Sequence, residues 1–410
     1  MKTGTRVFTG LLAVCAVMGS SCDASREGSR RVAQLGSLWG AKPWNAGGNA
    51  RSVMLPNVAI IPGGHCESSA IANALRYEGY AIAECEVTGG GSALGFMFQK
   101  GTFPFLGARN EDMRERFFAA AGIAWHRGNA EAADSGWAEI EGLLGRGVPV
   151  ILRNDMRFLT YRYGGRHGPR WASFGGHYVT LFGIDLERGV AYVSDTEYPG
   201  LQTVTLADLE RARFSKTQSF PPHGEFYWAE PPREGYALDY GRLARSSIAG
   251  VIANYRARGL GSGEGEPLIG LAGMERYPEA LATLESWSGK PYLLPAVLNY
   301  MAGNIEDFGT GGASFRTLYR AFLARAISAG GVTELEPLLA PLDGSIASWH
   351  ALSADFRAAS AEVKGLDRAG RTRVFARLSQ KAEALLKTEK AFYTTLVTVA
   401  DAMDIAIPEE

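Results

Sequence analysis

The stretch Gly63-Gly64-His65-Cys66-Glu67-Ser68-Ser69-Ala70 places a cysteine between a glycine-rich turn and a predicted helix. Apolar residues recur at three- and four-residue steps after it and predict a helix over 67–80, with Gly79 at its end. At the first turn of a helix, unpaired N–H groups and the helix dipole favour a thiolate, and the same N–H groups can stabilise an oxyanion. Cys66 is therefore the candidate nucleophile.

A histidine and an aspartate stand at the ends of two later predicted strands. Gly176-His177 opens the strand predicted over 178–184, and Asp195 ends the strand predicted over 190–194. If these strands form a hairpin, the two side chains reach the same end of the sheet. An acid there fixes the imidazole tautomer and stabilises its cation. Together with Cys66, this order predicts a Cys-His-Asp triad with His177 as base and Asp195 as orienting acid.

Four further residues are candidates for oxyanion or substrate contacts. Gly176 allows close approach of backbone or substrate. His65 either tunes the reactivity of the adjacent cysteine or closes the turn. Asn73, close to two helical turns after the cysteine, either shares its helix face or bonds within the core. Asp155 follows a predicted strand and is a candidate for contact with the site.

The order of predicted elements indicates two domains in 410 residues. Within 51–232, predicted helices are followed by β-branched and aromatic runs, which is typical of an α+β domain. The prolines Pro231-Pro232 mark the boundary. From 233–410 nearly every segment has helical periodicity, so an all-α domain is predicted there.

The first 50 residues are predicted to be a leader and a tether. Residues 1–22 combine two basic residues, an apolar run and small residues before Cys22, as in an export signal that ends in a lipidated cysteine. Simple cleavage is the alternative to lipidation. Residues 23–50 are polar and glycine-rich, as in a flexible tether. We expect an exported protein, either anchored in the membrane through Cys22 or free in the periplasm or outside the cell.

The charge balance and the spacing of the histidines argue against several other classes of protein. There are 42 basic and 43 acidic residues, so no nucleic-acid-binding surface is expected. The other histidines show no metal-ligand spacing, and neither a metal nor an organic cofactor is expected. Cys66 and Cys85 remain in the mature body, and a disulfide between them is an alternative to a reactive thiol.

Three runs resemble the butirosin biosynthesis protein H N-terminal family: His65–Asn73, 91–98 and Gly176-His177-Tyr178-Val179. Residues 233–330 resemble the helical domain that commonly follows it. The resemblance implies a papain-like fold and the transfer of an aminoacyl group from a carrier-protein thioester to an amine. Cys66 would then hold the acyl group, while His177 moves the proton and Asp195 orients His177.

Two features depart from that pattern. Papain-like peptidases place a glutamine before the cysteine, and residues 51–65 contain none. An export signal would also separate the enzyme from cytoplasmic carrier proteins. Three hypotheses follow: an exported thiol enzyme acting on an amide, ester or thioester of a small molecule or peptide; a non-catalytic ligand- or peptide-binding protein on a papain-like shell; and a cytoplasmic acyltransferase supplied by a carrier protein.

Overall fold

The computed structural model describes residues 52–107, 112–129, 133–217, 220–261, 266–288 and 290–407. The predicted signal (1–22) and tether (23–50) lie outside these residues. The described residues form two compact units, one of 52–81 and 124–233 and one of 82–123 and 234–407.

In chain order the strands are β1 (Ser52–Met54), β2 (Met97–Gln99), β3 (Phe105–Gly107), β4 (Trp125–Asn129), β5 (Val150–Asn154), β6 (His177–Asp185), β7 (Val190–Ser194), β8 (Gln202–Thr205), β9 (Glu225–Ala229), β10 (Gly259–Leu260) and β11 (Leu268–Ile269). The α-helices are α1 (Cys66–Glu78), α2 (Glu84–Gly90), α3 (Met113–Ala121), α4 (Ala133–Gly145), α5 (Leu206–Arg213), α6 (Tyr240–Arg256), α7 (Gly270–Ala282), α8 (Leu284–Ser288), α9 (Leu294–Glu306), α10 (Arg316–Ser328), α11 (Leu339–Glu362) and α12 (Arg368–Ala402).

The first unit is built on a seven-stranded antiparallel sheet in the order β4-β9-β5-β6-β7-β8, with β1 paired to the end of β6. Helix α1 lies against one face, where Thr180 donates a 2.9 Å hydrogen bond to the carbonyl of Ala70. The core around Val179 and Leu181 includes Ile140 and Leu143 of α4. The buried apolar residues of alternate strand positions thus fix α4 to the sheet.

The predicted hairpin is confirmed. Strands β6 and β7 pair antiparallel from Asp185 opposite Val190 to Thr180 opposite Ser194, with a bulge between Leu181 and Gly183. The first residue of β6 and the residue after β7 therefore reach the same end of the sheet.

The second unit consists mainly of helices, with a small four-stranded sheet in the order β10-β11-β2-β3. A buried ion pair lies inside it: Arg316 Nε is 2.6 Å from Glu389 Oε1. Glu389 also accepts hydrogen bonds from Tyr255 (2.5 Å) and Trp349 (2.7 Å), so the buried charge is well satisfied.

The α+β class is confirmed, with a β-rich N-terminal region and a helical C-terminal region. The structural units differ from the predicted domains in one stretch, since residues 82–123 group with the helical unit. The reason is close packing at α2: a side chain at Gly89 would overlap Phe322, and one at Gly90 would overlap Leu243. Across the described ranges, we find no helix with the length and apolar character needed to cross a membrane.

Candidate active site

Cys66 is the first residue of α1, and its side chain is partly exposed. The thiol lies 3.9 Å from the carbonyl oxygen of Gly176, to which it donates a hydrogen bond. The preceding residue, His65, caps the helix in extended conformation (φ −137°, ψ 135°). Its Nδ1 accepts the backbone N–H of Ser68 at 3.3 Å. His65 thus closes the turn that presents the thiol, one of its two predicted roles.

The segment that leads into Cys66 is fixed on both sides. The N–H of Gly63 donates to the carbonyl of Thr196 at 2.8 Å. The amide of Asn73 pairs with both backbone groups of Ile61, accepting from the N–H (3.0 Å) and donating to the carbonyl (3.1 Å). Asn73 therefore holds this segment against α1 through two hydrogen bonds. Its Oδ1 also accepts from Nη1 of Arg76 at 2.7 Å, and its described partners do not include the thiol.

His177 opens β6 and is buried. Its Nε2 lies 2.8 Å from Oδ1 of Asp195. A hydrogen bond with the Cys66 side chain also acts on the ring. Because Nε2 faces the carboxylate, Nδ1 is the nitrogen left for the thiol. The structure thus brings Cys66, His177 and Asp195 together in the predicted order.

Asp195 is buried and accepts four hydrogen bonds. Besides His177, Oδ1 accepts the N–H of Thr196 at 2.7 Å. On the other side, Oδ2 accepts from the Tyr161 hydroxyl and from Nε of Arg162, both at 2.8 Å. These bonds occupy both oxygens of the carboxylate and fix its orientation.

Tyr161 and Arg162 were not predicted from the sequence. They lie in a short 3-10 helix, Thr160–Tyr163, where no periodicity or motif marks them. The Arg162 guanidinium is nearly buried and also lies 3.8 Å from Glu197. The sequence therefore predicts the acid of the site, but no pattern in it marks the cation that accompanies this acid.

The charges of this cluster shift its pKa values strongly. Burial raises the pKa of Asp195, but Arg162 and His177 together hold that pKa well below its usual range. Burial and Arg162 lower the pKa of His177, yet the Asp195 carboxylate outweighs them and raises it to about 9. At neutral pH the imidazole beside the thiol is therefore a cation.

Asp155 is fully buried at the end of β5 and organises loops. Its Oδ2 accepts from the hydroxyls of Ser173 (2.5 Å) and Ser215 (2.6 Å), and its Oδ1 accepts the N–H of Phe174 at 3.0 Å. The carboxylate thereby holds the loop before His177. Its recorded partners include neither Cys66 nor His177, so the structure places it as a support of the site.

The second cysteine of the described residues is chemically different from Cys66. Both are free thiols, so the disulfide weighed from the sequence is not formed in this structure. Cys85 is buried in α2, and burial together with the adjacent Glu86 raises its pKa to about 11. A thiol in that environment is unreactive at neutral pH. Among the described residues, no group of three or more His, Cys, Asp or Glu side chains is arranged to hold a metal ion.

Fold and site together define an α+β protein with a partly exposed thiol next to a buried imidazole–carboxylate pair. Residues 65–196 match the family model described as "Butirosin biosynthesis protein H, N-terminal", and residues 207–396 match "Domain of unknown function (DUF4872)". This match over residues 65–196 confirms the resemblance found in the sequence. The match spans Cys66, His177 and Asp195. The family suggests a biosynthetic enzyme of the acyl-transfer type. No curated protein matches the chain.

Proposed function

We propose that the chain is a thiol-dependent acyl-transfer enzyme of papain-like design, with Cys66 as nucleophile, His177 as proton carrier and Asp195 as orienting acid. The observation that supports this best is the double contact of the His177 ring. One nitrogen meets the Asp195 carboxylate at 2.8 Å, and the ring also bonds to the Cys66 side chain. This is the arrangement that nucleophilic catalysis by a cysteine requires.

In the first half of the reaction, the proton shared between Cys66 and Nδ1 of His177 lies on the imidazolium, and the Cys66 sulfur attacks the acyl carbonyl carbon. A C–S bond forms and the carbonyl electrons move to oxygen. When the oxyanion collapses, the bond to the leaving group breaks, and His177 returns the proton to that group. The product is a thioester on Cys66.

The second half resolves the thioester. His177 takes a proton from water or from an amine, whose oxygen or nitrogen then attacks the thioester carbonyl. The C–S bond breaks and the thiolate is restored. Water makes the enzyme a hydrolase, and an amine makes it an acyltransferase. Asp195 stays ionised throughout, since Arg162 and Tyr161 hold its second oxygen.

The N–H of Cys66 is a suitable oxyanion donor. As the first residue of α1 its N–H has no partner within the helix, and the helix dipole points its positive end at this position. This donor takes the place of the glutamine that papain-like peptidases use and that residues 51–65 lack.

The predicted leader makes export part of the proposal: an enzyme that acts on an amide, ester or thioester of a small molecule or peptide, anchored through a lipidated Cys22 or released after cleavage. The family match favours a second candidate, a cytoplasmic acyltransferase that receives its acyl group from a carrier protein. Fractionation of cells with and without globomycin separates the two. Export predicts a precursor that accumulates or a processed protein outside the cytoplasm, whereas an unprocessed cytoplasmic chain favours the second candidate.

Alkylation by iodoacetamide near neutral pH tests the proposed chemistry. We expect Cys66 to react faster than free cysteine and His177→Ala to abolish the difference. Cys85, buried and with its raised pKa, provides an internal control that stays unlabelled in the folded protein. A Cys66 that reacts no faster than free cysteine contradicts the proposal.

A further inference from the structure

The aromatic side chains of Phe174 and Phe220 are partly or largely exposed, although most large apolar side chains of the described residues are buried. Phe220 is 48% exposed. Phe174, which is partly exposed, meets it edge to face, with ring centroids 5.5 Å apart. Exposed aromatic surface beside a reactive group is typical of a site that recognises a ligand.

Gly176 connects this aromatic pair to the thiol. Its carbonyl accepts the Cys66 thiol at 3.9 Å. Its α-carbon lies against the ring of Phe174, because an added Cβ would come within 2.8 Å of Cζ. A side chain at this position would overlap the Phe174 ring as it is placed here. Gly176 therefore contacts both the Phe174 ring and the Cys66 thiol.

The backbone that presents Phe220 is held rigidly. Phe220 has a left-handed φ of 54°. Its carbonyl lies so close to Gly175 that an added Cβ there would be 2.4 Å from it. Arg153 fastens the two segments, since it donates to the carbonyls of Gly175 (3.1 Å) and Phe220 (3.4 Å).

The left-handed conformation of Phe220 is unfavourable, and its exposed ring adds little to the hydrophobic core. A non-glycine residue in the left-handed region is strained. The exposed ring of Phe220 recovers little of that by burial. A pre-positioned aromatic ring does, however, lose little entropy when it binds a ligand. The strain at this exposed aromatic residue is consistent with recognition of a ligand.

We infer that Phe174 and Phe220 form a substrate subsite that binds an apolar part, aromatic or aliphatic, of the acyl compound that reacts with Cys66. The inference rests on the proposed function. It narrows the substrate class, since an acyl compound whose groups next to the carbonyl are all charged or strongly hydrated would not bury these rings.

Two alkylating probes with the same reactive group test the subsite. Iodoacetamide has no apolar substituent, and N-phenyl-iodoacetamide adds one aromatic ring; with both, the sulfur of Cys66 displaces iodide. The measured quantity is the ratio of their second-order rate constants at Cys66, divided by the same ratio for glutathione. For the wild-type protein we expect a corrected ratio of about ten, the effect of roughly 1.4 kcal/mol of aromatic contact.

We expect Phe220→Ala and Phe174→Ala each to bring the corrected ratio close to one. Leu186→Ala is the matched control, because Leu186 is a similarly exposed apolar residue (41%) on the turn after β6, and it should leave the ratio unchanged. If Phe174→Ala does not fold, Phe220→Ala decides, since its side chain is largely exposed.

A corrected ratio near one in the wild type, or a high ratio that Phe220→Ala leaves unchanged, overturns the subsite. The rate with iodoacetamide alone separates this from failure of the proposed function. Fast alkylation without a preference for the phenyl probe rejects only the subsite. Alkylation no faster than that of free cysteine rejects the nucleophile itself.

Discussion

The Nε2 atom of His177 lies 2.8 Å from the Oδ1 atom of Asp195, although 18 positions separate the two residues in the chain. The hairpin of β6 and β7 produces this contact, because the two residues stand at the same end of its strands. The contact also decides which ring nitrogen is available to Cys66. Asp195 in turn lies between two cations, His177 and Arg162, and this explains the opposite pKa shifts of acid and base.

The titration of His177 depends on Asp195. With its pKa raised from 6.5 to about 9, the imidazole should stay protonated at neutral pH and lose its proton around pH 9. Asp195→Asn removes the charge that raises this pKa, so the midpoint should fall. NMR titration of the His177 ring protons measures both midpoints. Asp185→Asn, which changes a partly exposed carboxylate at the far end of β6, should leave the midpoint near 9. A wild-type midpoint near 6.5 would refute the electrostatic account.

The raised pKa of His177 also makes the free energy of unfolding depend on pH. Because the folded-state pKa of His177 is raised, its stabilising interaction with Asp195 is fully present below pH 6.5 and is lost as the pH rises through about 9. Urea unfolding between pH 6 and 10 should show a fall in the free energy of unfolding over this range, and the fall should be smaller in Asp195→Asn. Equal pH dependence in the two proteins would show that the pair does not contribute.

Arg162 should contribute strongly to the stability of the fold as well as to the site. Arg162→Met leaves the buried Asp195 carboxylate without its second cation, and breaking a buried ion pair typically costs about 3–5 kcal/mol. Arg162→Lys keeps the positive charge, so its free energy of unfolding should fall by less. Arg188→Met, whose described bond goes to the hydroxyl of Tyr192 at the surface, is the control and should change the free energy of unfolding by less than about 0.5 kcal/mol. The idea fails if Arg162→Met is as stable as that control.

Asn73 should act on the reactivity of Cys66 without touching it. Asn73→Ala removes both hydrogen bonds to Ile61, which should cost about 1–3 kcal/mol and loosen the segment that enters α1. Slower alkylation of Cys66 and a lower melting temperature are the expected results. Asn299→Ala, at an exposed position of α9, is the control. Unchanged alkylation in a destabilised Asn73→Ala protein would limit this residue to a structural role.

The parts of the site that sequence predicts are those with a local signal. The glycine turn before Cys66 and the helical spacing after it predict α1, and its observed start at Cys66 follows. Two β-branched runs separated by a short turn predict the hairpin that joins His177 to Asp195. In each case the signal comes from neighbours in the chain, where periodicity and turn preferences operate.

The parts that sequence misses depend on distant contacts. Arg162 reaches Asp195 across 33 positions from a loop that has no periodicity. Helical spacing alone left the direction of Asn73 open, and the structure shows that the segment at Ile61 covers its face of the helix. Strands β10 and β11 have two residues each, too few for an alternating pattern to appear.

The central claim is that an acyl group passes through the sulfur of Cys66, and a trapped intermediate tests it most directly. The protein is mixed briefly with an activated ester such as p-nitrophenyl butyrate, quenched in acid and analysed by mass spectrometry, first intact and then as peptides. The account predicts one butyryl group on the peptide that contains Cys66, in the wild type and in Cys85→Ser, and none in Cys66→Ala. Ester turnover that continues unchanged in Cys66→Ala, with no acyl group on Cys66 in the wild type, would contradict it.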